Sequence, residues 1–246
     1  MSRYRFVSAT WIVGMFLIAP LAAVPMDGQA WELKPKIDLS KAHTSFLGED
    51  AYDYAGSSVA TGGDANGDGY DDILIGAAYD SDAASNAGQT YLVFGRPSGL
   101  VQDTDLSRAD ASFRGEVAGD SSGWSVDFAG DVNGDGYDDI IIGAINNDEA
   151  HSNAGQVYLI FGKASGWAMD TSLGSSSASF FGEETDDQAG RHVAGAGDVN
   201  GDGYDDFVIG APDNDEVASG AGQVYLILGK SSGWSMNTDL SGATGS

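Results

Sequence analysis

Three nine-residue segments hold the residues whose types and spacing are best suited to chemistry. They begin at Asp64, Asp131 and Asp198 and read D-x-N-G-D-G-Y-D-D each time. Oxygen donors stand at positions 1, 3 and 5: Asp64, Asn66 and Asp68; Asp131, Asn133 and Asp135; Asp198, Asn200 and Asp202. Glycine at position 6 lets the backbone wrap tightly, so alternate side chains converge and the position 7 carbonyl of Tyr70, Tyr137 or Tyr204 joins them. This is the donor set of a hard divalent cation, and Ca²⁺ is the expected one. A helical calcium loop would close with Glu at position 12, but that place holds Ile75, Ile142 or Ile209 inside an apolar run. The closing carboxylates are therefore expected at position 9, as Asp72, Asp139 and Asp206, with the loop set in a β-hairpin. About three sites follow, and the mutual repulsion of four Asp per loop makes calcium an expected structural element.

Other chemistry is thinly supported. The chain has no Cys, which removes disulfides, Cys-ligated metals and thiol catalysis. Its three histidines, His43, His151 and His192, do not recur with the loops, and no nucleophile elbow, zinc-protease motif or phosphate loop is present. Ser125 follows Trp124 in a segment lacking the final elbow glycine and reads as a strand residue. Arg191-His192, with Asp187 nearby, reads as a salt-bridged strand edge. Trp167 and Trp234 follow the repeat, with Leu100 in the first copy, and read as packing. No catalytic role is expected for this chain. Eleven basic residues against 37 acidic ones give a net charge of −26, which argues against nucleic acid as a partner.

The elements that position the loops repeat with the same period. Phe46, Phe113 and Phe180 each open an F-x-G-E segment, and Tyr91, Tyr158 and Tyr225 each sit in a G-Q-x-Y-L run, every spacing being 67 residues. Three ungapped repeats are expected at 46–112, 113–179 and 180–246, after a lead-in at 31–45. In the first copy, strands are expected at 57–61, 73–77, 90–94 and 111–113. The second and third strands are continuous apolar runs, such as Ile140-Ile141-Ile142, and a strand that does not alternate is covered on both faces. Four-stranded sheets lying between two neighbours are propeller blades. The fold class is thus expected to be all-β, three four-stranded blades of an incomplete or open β-propeller.

Residues 1–30 have the layout of a secretory signal peptide: Arg3 and Arg5, an apolar stretch from Phe6 to Val24, then small residues, with cleavage expected between Ala22 and Ala30. Membrane association is expected only if this segment stays uncleaved. The mature chain is expected to be secreted, periplasmic or at the cell surface.

The residues resemble the FG-GAP repeat of the integrin α-subunit β-propeller and its bacterial relatives. The resemblance rests on Phe113-Arg114-Gly115-Glu116, on the loop from Gly130 to Asp139, on Gly143-Ala144 and on Gly155-Gln156-Val157-Tyr158; Gly210-Ala211-Pro212 carries the full G-A-P. It covers about residues 37–246. It implies a propeller, usually of seven blades, with Ca²⁺ held by the same loop residues on one face and a protein or glycan partner commonly bound on the other. Ala78 and Ile145 depart from the family's proline, and three blades cannot close a ring alone. The third period ends at Ser246, which reads as a partial chain, so further blades are expected in missing sequence or in other chains. The alternative is the propeller part of a larger secreted glycan- or phospholipid-active enzyme.

Loops on the face opposite the calcium hairpins are acidic too: Glu49, Asp50, Asp53, Asp80 and Asp82; Glu116, Asp120, Asp148 and Glu149; Glu183, Glu184, Asp186, Asp187, Asp213, Asp215 and Glu216. They are expected either to meet a basic or cation-bridged partner or to serve as solvated surface.

Overall fold

The computed structural model describes residues 39–242, so the expected signal peptide lies outside the described residues. Leu39–Lys41 forms a short 3-10 turn, and the body considered below begins at Ala42. Its strands are β1 (Phe46–Leu47), β2 (Ser58–Gly63), β3 (Asp72–Ala77), β4 (Gln89–Val93), β5 (Thr104–Asp105), β6 (Ala111–Arg114), β7 (Ser122–Gly130) and β8 (Asp139–Ala144). They continue as β9 (Gln156–Ile160), β10 (Thr171–Ser172), β11 (Ala178–Phe181), β12 (His192–Gly197), β13 (Asp206–Ala211), β14 (Gln223–Ile227) and β15 (Thr238–Asp239). No α-helix occurs among the described residues, only 3-10 turns, and the chain is all-β.

Each repeat builds a small sheet. The strands run in the order β10-β6-β4-β3-β2 in the first, β15-β11-β9-β8-β7 in the second and β12-β13-β14 in the third. Four antiparallel strands per blade were expected, and the first two blades have them. Each also has a fifth, two-residue strand lent by the next repeat: β10 runs parallel to β6 with Thr171 opposite Phe113, and β15 runs parallel to β11 with Thr238 opposite Phe180. A serine fastens each strap, since Asp170 N–H donates to Ser112 Oγ at 2.7 Å and Asn237 N–H to Ser179 Oγ at 2.8 Å. The same device joins β5 to β1, where Asp103 N–H donates to Ser45 Oγ at 2.8 Å.

The central strands are apolar on both faces because both faces are covered. All six residues of β8 and all five of β9 are buried. One cluster packs Leu74, Leu92 and Phe113 of the first blade against Val126, Ile140, Ile142 and Tyr158 of the second. A second packs Ile141, Val157 and Leu159 against Val193, Phe207, Ile209 and Tyr225 of the third. The strands β2, β7 and β12 lie side by side at the inner edge, Val126 N–H donating to Ser58 Oγ and Val193 N–H to Ser125 Oγ, both at 3.1 Å. These are propeller blades in an unclosed row.

Blades meet backbone to backbone at several glycines, one of which can be compared across the three repeats. A Cβ on Gly76 would run into the Gly123 carbonyl oxygen, and one on Gly143 into that of Gly190. At Gly210 the nearest atom would be His192 O at 3.5 Å. Gly143→Ala is therefore expected to destabilise the protomer by roughly 1–3 kcal/mol through overpacking, whereas Gly210→Ala leaves it within about 0.5 kcal/mol. Urea unfolding of the two variants checks the contrast.

Candidate functional site

Each acidic loop connects the first two long strands of its blade, so all three lie at the same ends of their sheets. Within a loop the position 1 carboxylate gathers the turn: Asp64 Oδ1 accepts from the N–H groups of Gly67 and Asp68 at 2.7 and 3.0 Å, and Oδ2 from Gly69 at 2.7 Å. Asn66 Oδ1 accepts from Asp68 N–H at 2.8 Å, and Asp68 Oδ1 from Tyr70 N–H at 3.0 Å. Asp131 with Asn133 and Asp135, and Asp198 with Asn200 and Asp202, repeat the pattern. Gly67 takes φ +72° and Gly69 φ +87°, left-handed values that let successive N–H groups turn inward.

The position 9 carboxylates sit deeper. Asp72, Asp139 and Asp206 are fully buried at the starts of β3, β8 and β13. Asp139 Oδ2 accepts from Val132 N–H at 3.1 Å and Oδ1 from Gly162 N–H at 2.8 Å; Asp72 is held the same way by Ala65 and Gly95, and Asp206 by Val199 and Gly229. Burial pushes the Asp72 carboxyl up to about 6 and the Asp139 carboxyl up to about 8, with the neighbouring loop carboxylates adding to the rise. Among the described residues no three acidic or histidine side chains are drawn together as a preformed cage. The donors are all oxygen, they line one short loop, and their charges oppose one another, so their chemistry fits a hard cation.

Position 8 does work that the spacing alone did not assign. Asp138 Oδ2 accepts from Asp64 N–H of the preceding blade at 2.7 Å, and Asp205 Oδ2 from Asp131 N–H at 3.0 Å. The Tyr137 and Tyr204 rings lie where a Cβ on Gly67 or Gly134 would fall. The loops are thereby stitched blade to blade. The visible clue was the doubled Asp after each tyrosine, recurring at 67 residues.

The minor readings also have a place in the structure. Arg191 donates to Gln188 Oε1 and approaches Asp213 at 3.9 Å, so its carboxylate neighbour is Asp213 and not Asp187. Trp167 packs edge-on against Phe94 and Phe113, and Trp234 against Phe161 and Phe180, each indole N–H bonded to a lysine carbonyl.

On the opposite ends of the sheets, four of the acidic residues considered for partner contact are buried: Asp53, Asp80, Asp120 and Asp187. They bind their own loops. Asp120 Oδ2 accepts from Val117 N–H at 3.1 Å and Asn147 Nδ2 at 3.2 Å, and Asp187 Oδ2 from Glu184 N–H at 3.0 Å and Asn214 Nδ2 at 3.1 Å. Only the remaining carboxylates of that face could meet a partner.

The FG-GAP repeat pattern matches residues 55–93, 122–160 and 189–227, each span running from the start of the first long strand, or up to three residues before it, to the end of the third. The chain is an FG-GAP repeat protein. Among curated relatives, integrin alpha pat-2 of Caenorhabditis elegans is 33% identical over 205 residues, covering 74% of this chain and 14% of the relative. Integrin alpha-V of Gallus gallus is 31% identical over 184 residues, covering 68% and 16%. Phosphatidylinositol-glycan-specific phospholipase D of Dictyostelium discoideum is 29% identical over 190 residues, covering 71% and 20%. The matched region spans a fifth or less of the length of these relatives.

Two predictions separate the buried and the exposed carboxylates of the second loop of this FG-GAP row. Asp139→Asn leaves one buried N–H facing an amide donor and is expected to lower stability by about 2–4 kcal/mol with or without calcium. Asp135→Ala, at an exposed loop position, is expected to remove mainly the second loop's share of the calcium-dependent increment, about a third of it; paired melts in calcium and in chelator read the difference.

Burial pushes the Asp120 carboxyl from 3.8 up to about 6. The folded chain therefore holds that proton more tightly than the unfolded chain, and stability falls as pH rises from about 4 through about 6. Asp120→Asn is expected to flatten this part of the stability profile, measured by melting temperature against pH.

Proposed function

We propose that the chain is a calcium-stabilised extracellular propeller module, integrin α-like, that binds a protein or glycan ligand in adhesion. The observation carrying this reading is the same oxygen-donor loop built three times at the same end of consecutive blades and stitched across each blade boundary. Calcium would be held by Asp64, Asn66, Asp68, the Tyr70 carbonyl and Asp72, and by their counterparts Asp131, Asn133, Asp135, Tyr137 and Asp139, and Asp198, Asn200, Asp202, Tyr204 and Asp206. The ion would neutralise carboxylates that otherwise repel one another and would keep the buried position 9 group ionised. Its role is then to rigidify a secreted chain that has no disulfides.

The integrin relatives support the adhesion reading, and the phospholipase D relatives support a second one. In that reading the same module is the non-catalytic propeller of a larger secreted enzyme. The histidines at 43, 151 and 192 occupy unrelated places in the repeat, and none stands beside a nucleophile motif. Either way these blades supply a scaffold and a binding face. Among the described residues no helix is long and apolar enough to cross a membrane, and export through the N-terminal segment accords with both readings.

At a calcium concentration tenfold above Kd, each loop contributes roughly 1.4 kcal/mol, or ~4 kcal/mol for three. A cooperative rise of several degrees in melting temperature is expected in millimolar calcium over excess EDTA. A melt indifferent to calcium would overturn the structural role of the metal.

A further inference from the structure

Four aromatic side chains at the sheet ends opposite the acidic loops break the repeat that otherwise governs the chain. Tyr52 and Tyr54 precede β2, Tyr79 follows β3, and Trp124 stands in the bulge of β7 between Ser122 and Ser125. One period on, the first three places hold Gly119, Ser121 and Asn146. The place of Trp124 is held by Ser57 one period earlier and by Arg191 one period later. Framework residues such as Tyr91, Tyr158 and Tyr225 recur at 67 residues, so an aromatic that does not recur is not required by the blade.

Three of the rings touch in succession. Tyr54 meets Tyr79 at 5.4 Å between ring centroids and 64° between planes, and Tyr79 meets Trp124 of the next blade at 6.3 Å and 67°. At the boundary of the second and third blades the same places make polar contacts instead: Asn146 Nδ2 donates to Ser121 Oγ at 3.2 Å, and Arg191 bonds to Gln188 of its own blade. Both boundaries keep the same glycine and serine contacts, so the rings are not what joins the blades. Tyr79 and Trp124 face each other between two described blades, with Tyr79 39% exposed and Trp124 partly exposed, so apolar ring surface stands in water there.

The backbone that presents the tyrosines is unfavourable for them. Tyr54 has φ +55° and Tyr52 φ +78°, left-handed values at which a bulky side chain is rare; the second blade has Ser121 and Gly119 there, at +55° and +95°. Aromatics held in an uncommon conformation with no packing duty point to a binding surface.

The surroundings select the charge of the occupant. Exposed carboxylates stand on the same loops, Asp50 beside Tyr52 and Asp82 after Tyr79, and Asp148 and Glu149 follow Asn146 on the matching loop of the second blade. Arg114 pairs with Asp82, whereas Asp50, Asp148 and Glu149 have no salt-bridge partner among the described residues. An anionic ligand is repelled here, and a cation with an apolar face is favoured twice, over the rings and by the carboxylates. Three rings in succession present more surface than one lysine or arginine side chain covers. They suit a chain of several units, each with an apolar C–H face and hydroxyl groups at its edge.

We propose that this face of the first blade boundary binds an oligosaccharide of amino sugars, whose C–H faces stack on Tyr54, Tyr79 and Trp124 and whose ammonium groups meet the surrounding carboxylates. The proposal rests on the reading of the chain as a binding module with its ligand face opposite the acidic loops, and it names the ligand class for that face.

The test is isothermal titration of the full chain in calcium with a glucosamine tetrasaccharide, with N-acetylglucosamine tetrasaccharide and tetralysine as comparisons. Saturable binding of the glucosamine chain is expected, roughly threefold to tenfold tighter than either comparison. Tyr79→Asn and Trp124→Ser install the residues that the second and first blades already carry at those places, so the fold tolerates them. Each is expected to weaken binding roughly fivefold to tenfold, with circular dichroism and the calcium-dependent melt unchanged, while Asn146→Ala at the other boundary leaves binding as it was. No binding of the glucosamine chain, equal binding of the acetylated chain or of tetralysine, or binding that survives both ring variants overturns the proposal. The calcium melts are read separately, so such a failure leaves the calcium-stabilised module standing.

Discussion

A β-strand that is apolar on both faces can be buried only between two neighbours, and that constraint organises this protein. Ile140–Ile142 and Val157–Ile160 cannot face water on either side at little cost, since each large aliphatic side chain left exposed forgoes roughly 1.5–3 kcal/mol. Stacking sheets in a row satisfies a blade that is followed by another and leaves the last described blade with a bare face. The burial pattern of the same strand shows this directly: β4 and β9 are wholly buried, and β14 alternates. Alternation there does not come from an alternating sequence, because Gln223–Ile227 is the same five-residue run as Gln156–Ile160. It comes from having one covered face.

The acidic loops answer a second constraint, how to place many carboxylates beside a core without leaving them unpaired. The position 1 Asp spends its acceptors on three turn N–H groups, and the position 9 Asp on two N–H groups from different segments, one across the hairpin and one from the end of the third strand. The position 8 Asp of the second and third blades reaches back to the loop before it. Local turn, blade and row are therefore fixed by three carboxylates in one nine-residue segment. The loop is a structural joint, and its carboxylates can be concentrated there because backbone N–H groups satisfy them.

Much of this was legible in the sequence because the repeat is ungapped. The strands β2, β3, β4 and β6 fall within about two residues of the expected spans, and the continuous apolar runs correctly implied coverage on both faces. The straps β5, β10 and β15 were not legible: two residues such as Thr171–Ser172 carry no period, and their pairing depends on a serine 58 residues earlier. Position 8 was hidden for a related reason, since Asp138 and Asp139 look alike in sequence, and only the blade boundary separates a residue that reaches outward from one that turns inward. Asp53, Asp80, Asp120 and Asp187 misled for the opposite reason. An acidic loop residue reads as solvated, and nothing local reveals that a backbone N–H three residues before Asp120 and an amide 27 residues after it will enclose its carboxylate.

Near-identical repeats need not be energetically identical. In the second and third blades Asn147 and Asn214 donate an amide N–H to the buried Asp120 and Asp187. The first blade has Asp80 in that place, fully buried, and a carboxylate offers Asp53 no such donor. Burial raises the proton affinity of Asp80, and Asp53 and Asp82 raise it further; Asp53 is raised by burial and then by Asp50 and Asp82. What relief Asp80 receives comes from Asp82 N–H at 3.0 Å and the Tyr91 hydroxyl at 3.4 Å. The corresponding Tyr158 instead donates to Glu116 Oε1 at 2.9 Å. One Asn-to-Asp difference thus leaves two carboxylates, Asp53 and Asp80, facing the same interior. The Asn147 amide does not by itself relieve the corresponding interior of the second blade, since burial still pushes the Asp120 carboxyl up to about 6 there.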